Sequence, residues 1–334
     1  MRQLSFPATD DDLSGPAWER FRQDAPMTRA FNHLIAGPHF ARRFGRWPLS
    51  PGDAAATIND VIFARMIEPD WPALHRRFVV KDSAKIEAQR LAPALRTAET
   101  LAVIPVAELP SPEHLWARLQ PFVGRDAIAK PGHASGAATF LRHAPSEREV
   151  RALHDLARRD YATILREMQY WRLPKTIIVE AMVPAGTSGP PDDYKFHCVH
   201  GEPLLAQVDH GRFGEAWSRL LRLPDFAPLD DADGLVAPAG FRLAAPERIA
   251  AMIDAARALS APFDFVRVDL YDGADGIYFG ELTFTPAAAL GIAPAAAGVD
   301  WVNPTHRRYS DTLMQALDAN REGTPMPVAR LSHP

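Results

Sequence analysis

The sequence predicts an α+β protein in which charged antiparallel hairpins alternate with short helices. Three observations predict it. Residues 265–271 and 277–284 are rich in β-branched and aromatic side chains and flank the turn residues Asp272, Gly273, Ala274, Asp275 and Gly276. Residues 193–209 repeat the pattern about a turn at His200 and Gly201. Ser146, followed three residues later by Glu149, is a capping box that opens a helix over residues 146–170.

Composition narrows the class. The chain has 334 residues, 47% of them apolar and 23% charged, with a net charge of -4, as in ordinary globular proteins. That balance gives no electrostatic reason for a nucleic acid or anionic membrane partner. The N-terminus lacks the basic start and apolar run of a signal peptide, and no stretch is apolar for long enough to span a membrane, so a cytoplasmic setting is expected. A single cysteine, Cys198, excludes an intramolecular disulfide and a multi-cysteine zinc site.

Taken in order, residues 1–75 are punctuated by proline and tryptophan and mostly helical in pattern, with amphipathic pieces at 17–21, 27–35 and 58–67. Residues 82–96 read as a helix capped by Asp82 or Ser83 and ended by Pro93. A cation at Lys85, near its start, opposes the helix dipole and points weakly to an anion, although taken alone a solvated lysine explains it better. Residues 101–106 form a short apolar strand. Residues 126–140 then run a strand into Lys130 and a small loop containing Gly132, Ser135 and Gly136. Such a loop can close its backbone N–H groups around phosphate with lysine as counter-charge, or serve simply as a turn; no Walker pattern is present.

The predicted helix over 146–170 carries Val150, Leu153, Leu156, Ile164, Leu165 and Met168 as a core stripe. Residues 175–183 form an apolar strand that leads into a Gly, Ser and Pro linker at 184–191, the expected domain boundary. In the 193–209 hairpin Lys195, His197 and Val199 share one face, and Tyr194, Phe196 and Cys198 the other. His197, His200 and His210 fall on different faces or in the turn, which disfavours zinc, and Cys198 reads as a small buried hydrophobe. Residues 214–245 look like a loop-rich insertion. Pro246 opens a helix carrying Ile249, Met252, Ile253 and Leu259, and residues 307–321 close the chain as a helix.

The 265–284 hairpin organises the rest. With a three-residue loop at 274–276, Tyr271 faces Phe279, Asp269 faces Glu281 and Arg267 faces Thr283. Arg267, Asp269, Glu281 and Thr283 then share one face, and Val266, Val268, Leu270, Leu282 and Phe284 the other. Two carboxylates directly opposite, roughly 5 Å apart at Cβ, repel unless a cation lies between them. Arg267 could supply it within a solvated cluster, and so could Mg2+, which is commonly held by one or two carboxylates and substrate phosphates.

These residues carry a resemblance. Residues 193–196 with Gly201, residues 280–286, and the lysine strand and glycine loop at 128–136 resemble the teichuronopeptide-biosynthesis (TupA)-like ATP-grasp family, with weaker similarity at 58–60 and from Asp82 to Lys85. The likeness spans about residues 55–320 and leaves the first 50 unmatched. It implies an ATP-grasp fold: two α+β subdomains enclosing ATP, at 99–183 and 184–325, behind a mostly helical region at 1–98. It implies that Lys130, Gly132, Ser135 and Gly136 hold ATP phosphates, with Lys85 as a further contact, and that Glu180, Met182 and Val183 form the hinge against adenine. Asp193 is the nearest candidate for the ribose contact. Lys195 would meet phosphate or the incoming carboxylate, and Arg267 would stabilise the transferring group. Asp269, Glu281 and Thr283 would hold Mg2+, with Thr283 where many ATP-grasp enzymes carry asparagine. The implied activity is an ATP- and Mg2+-dependent carboxylate–amine ligase acting through an acyl phosphate, in cell-envelope polysaccharide or peptide-conjugate biosynthesis, with a small-molecule, glycan or peptide carboxylate and an amine as partners. The rivals are an ATP-binding or phosphotransfer protein without ligation, and a sugar-nucleotide glycosyltransferase. The latter has only nominal Asp-x-Asp signals at 10–12 and 231–233, neither after a convincing strand.

Overall fold

The computed structural model describes residues 15–136, 138–185, 191–211, 217–230, 237–239, 241–291 and 304–321. Helices come first: α1 (Pro16–Asp24), α2 (Arg29–Phe44), α3 (Ile58–Met66), α4 (Ala73–Val79) and α5 (Lys81–Leu91). Asp60 starts α3 by accepting from the Thr57 main-chain N–H at 2.8 Å, and it also binds Arg46 at 2.6 Å. Helix α5 begins at Lys81 with Val80 as its cap, so neither Asp82 nor Ser83 caps it; the Ser83 hydroxyl donates back to Arg77 and Val80 carbonyls instead.

Two sheets follow. Strand β1 (Arg96–Thr97) belongs to the larger, while β2 (Thr100–Pro105) starts the smaller. After α6 (Pro112–Leu119) come β3 (Ala127–Pro131), β4 (Thr139–Phe140), α7 (Glu147–Arg158), the short α8 (Ala162–Leu165) and β5 (Thr176–Ala181). Strands β2, β5, β3 and β4, in that order, make a four-stranded antiparallel sheet packed on α6 and α7 through Ile104, Leu115, Ala129, Leu153 and Val179. The Ser146–Glu149 capping box forms, but α7 stops at Arg158 rather than running on to residue 170. Leu156, Ile164 and Leu165 are consequently only half-buried.

The larger sheet has the order β1-β10-β9-β6-β7-β8, from β6 (Asp193–Val199), β7 (Glu202–His210), β8 (Trp217–Arg222), β9 (Phe265–Gly273) and β10 (Gly276–Thr283). Strand β8 pairs antiparallel with β7 and lies inside the stretch expected to be an insertion of loops. Residues 231–233 and 10–12 lie outside the described residues, as does most of the 184–191 linker. Helix α9 (Pro246–Ser260) covers one face of this sheet. There Met252, Ile253, Ala256 and Leu259 meet Tyr194, Phe196, Cys198, Val266, Val268, Leu270, Leu282 and Phe284, the apolar face expected from alternation. Burial pushes the Cys198 thiol up to about 12, which fits a core residue rather than a nucleophile. Helix α10 (Pro304–Arg321) packs with α2 and α3 against the sheet's other end, where the Ser310 hydroxyl accepts the Ile58 N–H at 3.1 Å. Among the described residues no helix is long and apolar enough to cross a membrane.

Register is the detail that matters for function. Strands β9 and β10 meet through a two-residue turn, Ala274 and Asp275, so Tyr271 faces Tyr278 and Phe279 faces Leu270. The expected three-residue loop and Tyr271–Phe279 pair do not form. A bulge at Gly280 then takes up the extra residue, and from there Asp269 faces Glu281 and Arg267 faces Thr283 as alternation required. Continued without the bulge, the turn's register would set Glu281 opposite Val268, on the apolar face. Only glycine fits this position, because a Cβ there would sit 2.8 Å from the Asp269 carbonyl oxygen.

Candidate active site

The four-stranded sheet presents lysines. Lys130 points off β3 and Glu180 off β5, with a Lys130 Nζ–Glu180 Oε2 distance of 2.5 Å. Lys85, one turn into α5, binds the other Glu180 oxygen, and donates to the Ala98 carbonyl at 2.6 Å and the Thr100 hydroxyl at 2.9 Å. Burial works to raise the Glu180 carboxyl, yet Lys130 and Lys85 outweigh it and hold it below the usual carboxylate range. Glu180 is thus the shared counter-ion of both lysines.

The glycine loop is tied to neighbouring elements. The Gly132 N–H donates to the Thr176 carbonyl at 2.9 Å, and the Gly132 carbonyl accepts from the Lys81 N–H at 3.2 Å. A Cβ on Gly132 would lie 2.3 Å from the Thr176 hydroxyl, which would have to turn away to admit it. Gly136 takes a positive φ of 84°. Ser135 lies near the phenols of Tyr161 and Tyr170.

The six-stranded sheet presents a second cluster. Arg267 holds both Asp269 oxygens, at 2.7 and 2.6 Å, and donates to the Thr283 hydroxyl at 3.1 Å. Asp269 also faces Lys195 across β6, and Lys195 is itself gripped by Asp193 and by Asp209 at 2.7 Å. Burial raises the Asp269 carboxyl, against Arg267 and Lys195. Glu281 stands at the rim, its side chain 45% exposed and its oxygen 3.3 Å from the Thr283 hydroxyl and 3.9 Å from Arg267. Desolvation raises its carboxyl, but Lys81, Arg267, Lys130 and Lys195 together draw it below the usual range. His197 packs its ring edge-on to Tyr309, whose hydroxyl lies 3.1 Å from His197 Nδ1, and His210 binds Asp192.

Two cavities join these clusters. One, of about 340 Å³, is lined by Ile128, Phe140, Met182, Val183, Tyr271 and Phe279, with Lys85, Lys130, Glu180 and Glu281 at its edge. It is apolar around Met182 and Val183, and charged at Lys85, Lys130, Glu180 and Glu281. The other continues from Lys85, Lys130, Glu180 and Glu281 to Lys81, Thr283, Gln169 and Tyr170. Of the expected site residues, Lys85, Lys130, Glu180, Met182, Val183, Glu281 and Thr283 therefore line connected space. Asp193, Lys195, Arg267 and Asp269 lie behind it, their charges committed to one another. Asp193, the expected ribose contact, is turned to Lys195 and does not line the hinge cavity.

Sequence reasoning missed Lys81 and a buried group at the far end. There the Glu167 carboxyl, pushed up to about 7 by burial, accepts from the Thr285 hydroxyl at 2.9 Å and from Gln169 at 3.3 Å. No motif in 166–170 flagged it.

The oxygen donors of Asp269, Glu281 and Thr283 suit a hard cation such as Mg2+. Among the described residues no group of three or more His, Cys, Asp or Glu side chains is placed to hold a metal. Magnesium would therefore rest on the two carboxylates, the hydroxyl, phosphate and water.

The chain is similar in structure to the ATP-grasp ligase PsnB complexed with a minimal precursor, at 13% identity over 73% of this chain and 62% of that one, with a TM-score of 0.36. It spans less than two thirds of PsnB's length. A D-alanine–D-alanine ligase from Bacillus anthracis is 13% identical over 74% of this chain and 69% of that one, with a TM-score of 0.37. A Chryseobacterium gregarium RiPP-associated ATP-grasp ligase, in complex with ADP and a leader and core peptide, is 11% identical over 80% and 68%, with a TM-score of 0.35. No curated protein matches the sequence. Residues 126–292 match the family described as TupA-like ATPgrasp. That match takes in the lysine strand, the glycine loop, the hinge and both charged hairpins, half of the chain in all, and the protein belongs to the TupA-like ATP-grasp family.

Proposed function

We propose that this protein is an ATP- and Mg2+-dependent ligase that joins a carboxylate to an amine through an acyl phosphate, in the making of a cell-envelope polysaccharide or peptide conjugate. The observation that carries this reading is a single charged cleft. Lys81, Lys85 and Lys130 line it together with Glu281 and Thr283, and a more apolar cavity at Met182 and Val183 shares Lys85, Lys130, Glu180 and Glu281 with it. A carboxylate does not couple to an amine at neutral pH, because its oxygen is a poor leaving group. Transfer of a terminal phosphoryl group to that oxygen gives an acyl phosphate; the amine attacks its carbon and phosphate departs. A protein supports such chemistry mainly by positioning and charge neutralisation.

In this proposal residues 99–183 and 184–325 are the two gripping subdomains, behind residues 1–98. Met182 and Val183 lie against adenine. Lys85, Lys130 and the loop of Gly132, Ser135 and Gly136 hold the phosphates, with Glu180 pairing and aiming both lysines. Arg267 and Lys195 reach the transferring group by exchanging the partners Asp269, Asp193 and Asp209. Asp269, Glu281 and Thr283 would hold magnesium, which would supply positive charge against the phosphates.

Calorimetry with Mg2+ and the non-hydrolysable analogue AMPPNP tests the site in the wild type and in Glu281→Gln. Metal-dependent binding that weakens at least tenfold in the variant is expected, since charge-assisted contacts are worth about 1.5–3 kcal/mol. A folded wild type that binds no nucleotide would sink the proposal. ADP release is then screened across carboxylates and amines. Release without conjugate would favour phosphotransfer, and sugar-nucleotide turnover without ATP a glycosyltransferase.

A further inference from the structure

Lys81 opens α5, at the positive end of the helix dipole, where a cation is disfavoured and where Val80 provides no side-chain cap. Its two ends hold the same loop. The main-chain N–H donates to the Gly132 carbonyl at 3.2 Å, and Nζ donates to the Ala134 carbonyl at 2.7 Å. Among the described residues no carboxylate forms an ion pair with it, unlike Lys85 and Lys130, which share Glu180. Burial pushes the ammonium down to about 8; Lys130 adds to this, and Glu281 and Glu180 pull the other way. The far cavity is thus lined by three lysines, Lys81, Lys85 and Lys130, and two glutamates, Glu180 and Glu281. An anionic ligand would redress that excess of positive charge.

Position along the cleft selects which anion. Lys85, Lys130, Glu180, Gly280 and Glu281 line both cavities, whereas Lys81 lines only the one away from the hinge. A nucleotide with its base at Met182 and Val183 threads its phosphates past the shared residues first. The phosphate furthest from the base is the one that comes to Lys81.

We propose that Lys81 recognises the terminal phosphate of the nucleoside triphosphate and couples its presence to the glycine loop at 132–136, so that the site distinguishes ATP from ADP. This rests on the ligase reading. When the third phosphate arrives, the ammonium bridges it to the Ala134 carbonyl and the loop closes over it. With two phosphates the ammonium keeps only its backbone partner.

The test compares Mg2+·AMPPNP with Mg2+·ADP by calorimetry on the full chain, as wild type, Lys81→Met and Lys85→Met. Loss of one charge-assisted phosphate contact is expected to weaken AMPPNP about 10- to 100-fold in Lys81→Met. ADP binding should stay within about threefold of wild type, the scatter expected of a distant substitution. Lys85→Met, on the shared part of the cleft, should weaken both ligands alike. Hydrogen exchange over 132–136 supplies a second readout: AMPPNP but not ADP slows it in the wild type, and neither slows it in Lys81→Met. Equal loss for both nucleotides, loss for neither, or AMPPNP protection of the loop that survives in Lys81→Met overturns the proposal and leaves the ligase reading standing. A wild type that binds neither nucleotide removes that reading, and the proposal with it. Should Lys81→Met not fold, Lys81→Gln keeps a donor for the Ala134 carbonyl without the charge, and must show the same selective loss.

Discussion

The two charged clusters use the same residue types in opposite proportions. On the four-stranded sheet and α5, Lys81, Lys85 and Lys130 surround one carboxylate, Glu180. On the six-stranded sheet, Arg267 and Lys195 stand among Asp193, Asp209 and Asp269, with Glu281 at the rim. One wall has cations to spare and the other carboxylates. A triphosphate and a divalent cation suit that asymmetry, whereas two internally balanced walls would attract neither. The difference also separates function from stability. A cation-rich wall is relieved by ligand, while a wall of interlocked buried pairs holds itself together.

Asp269→Asn breaks the second wall and has the largest expected effect. It removes the carboxylate that binds Arg267 through both oxygens, and leaving a buried partner uncompensated costs about 3–5 kcal/mol. Urea unfolding should show that loss, and AMPPNP binding should lose its dependence on Mg2+.

Glu180→Gln breaks the first wall, and the contrast is sharp. Lys85 and Lys130 lose their common partner, which costs about 1.5–3 kcal/mol for the charge-assisted bonds. Thermal unfolding without ligand should drop. Mg2+·AMPPNP should then raise the midpoint by more in the variant than in the wild type, since phosphate takes over the vacated role. An equal rise in both would mean that the lysines do not meet the nucleotide.

Gly280→Ala tests the joint between the walls. The added methyl meets the Asp269 carbonyl at 2.8 Å and the Tyr271 ring at 3.0 Å, an overpacking worth about 1–3 kcal/mol. Because the bulge sets which face Glu281 takes, AMPPNP affinity should fall in step with stability. A stable variant with unchanged affinity would show that the bulge is tolerated in another form.

How much of this the sequence disclosed follows from the range of the interactions. Alternation along a strand is local, so Arg267, Asp269, Glu281 and Thr283 were legible on one face and Val266, Val268 and Leu270 on the other. The turn was misjudged by one residue, yet Asp269 and Glu281 still met, because Gly280 returns the residue the turn omits. Glu180 was placed in a hinge on the family resemblance, and nothing nearby in sequence announces two lysines drawn from α5 and β3. Strand β8 escaped notice because Trp217, Leu220 and Leu221 do not alternate. Lys81 gave no signal at all: it matters only through the approach of α5 to a loop some fifty residues on.

The smallest expected effect uses pH to sharpen the comparison. Lys81 is held down to about 8 by burial and Lys130, with Glu281 and Glu180 opposing. A phosphate beside it favours the charged form, so the complex binds a proton that the free protein has lost once pH passes about 8. Affinity for Mg2+·AMPPNP should therefore be level below pH 8 and fall above it, by at most about tenfold per unit, the limit for one linked proton. The stability sign is opposite. A lysine whose pKa is lower in the folded state than in the unfolded one binds fewer protons when folded, so between about 8 and the ordinary lysine value of 10.5 its destabilising effect is relieved as pH rises. Ligand affinity and intrinsic stability from this one group thus move in opposite directions across the same window. Lys81→Met should flatten the affinity profile above pH 8. A profile that keeps its fall in that variant would assign the titration to another group on the same wall.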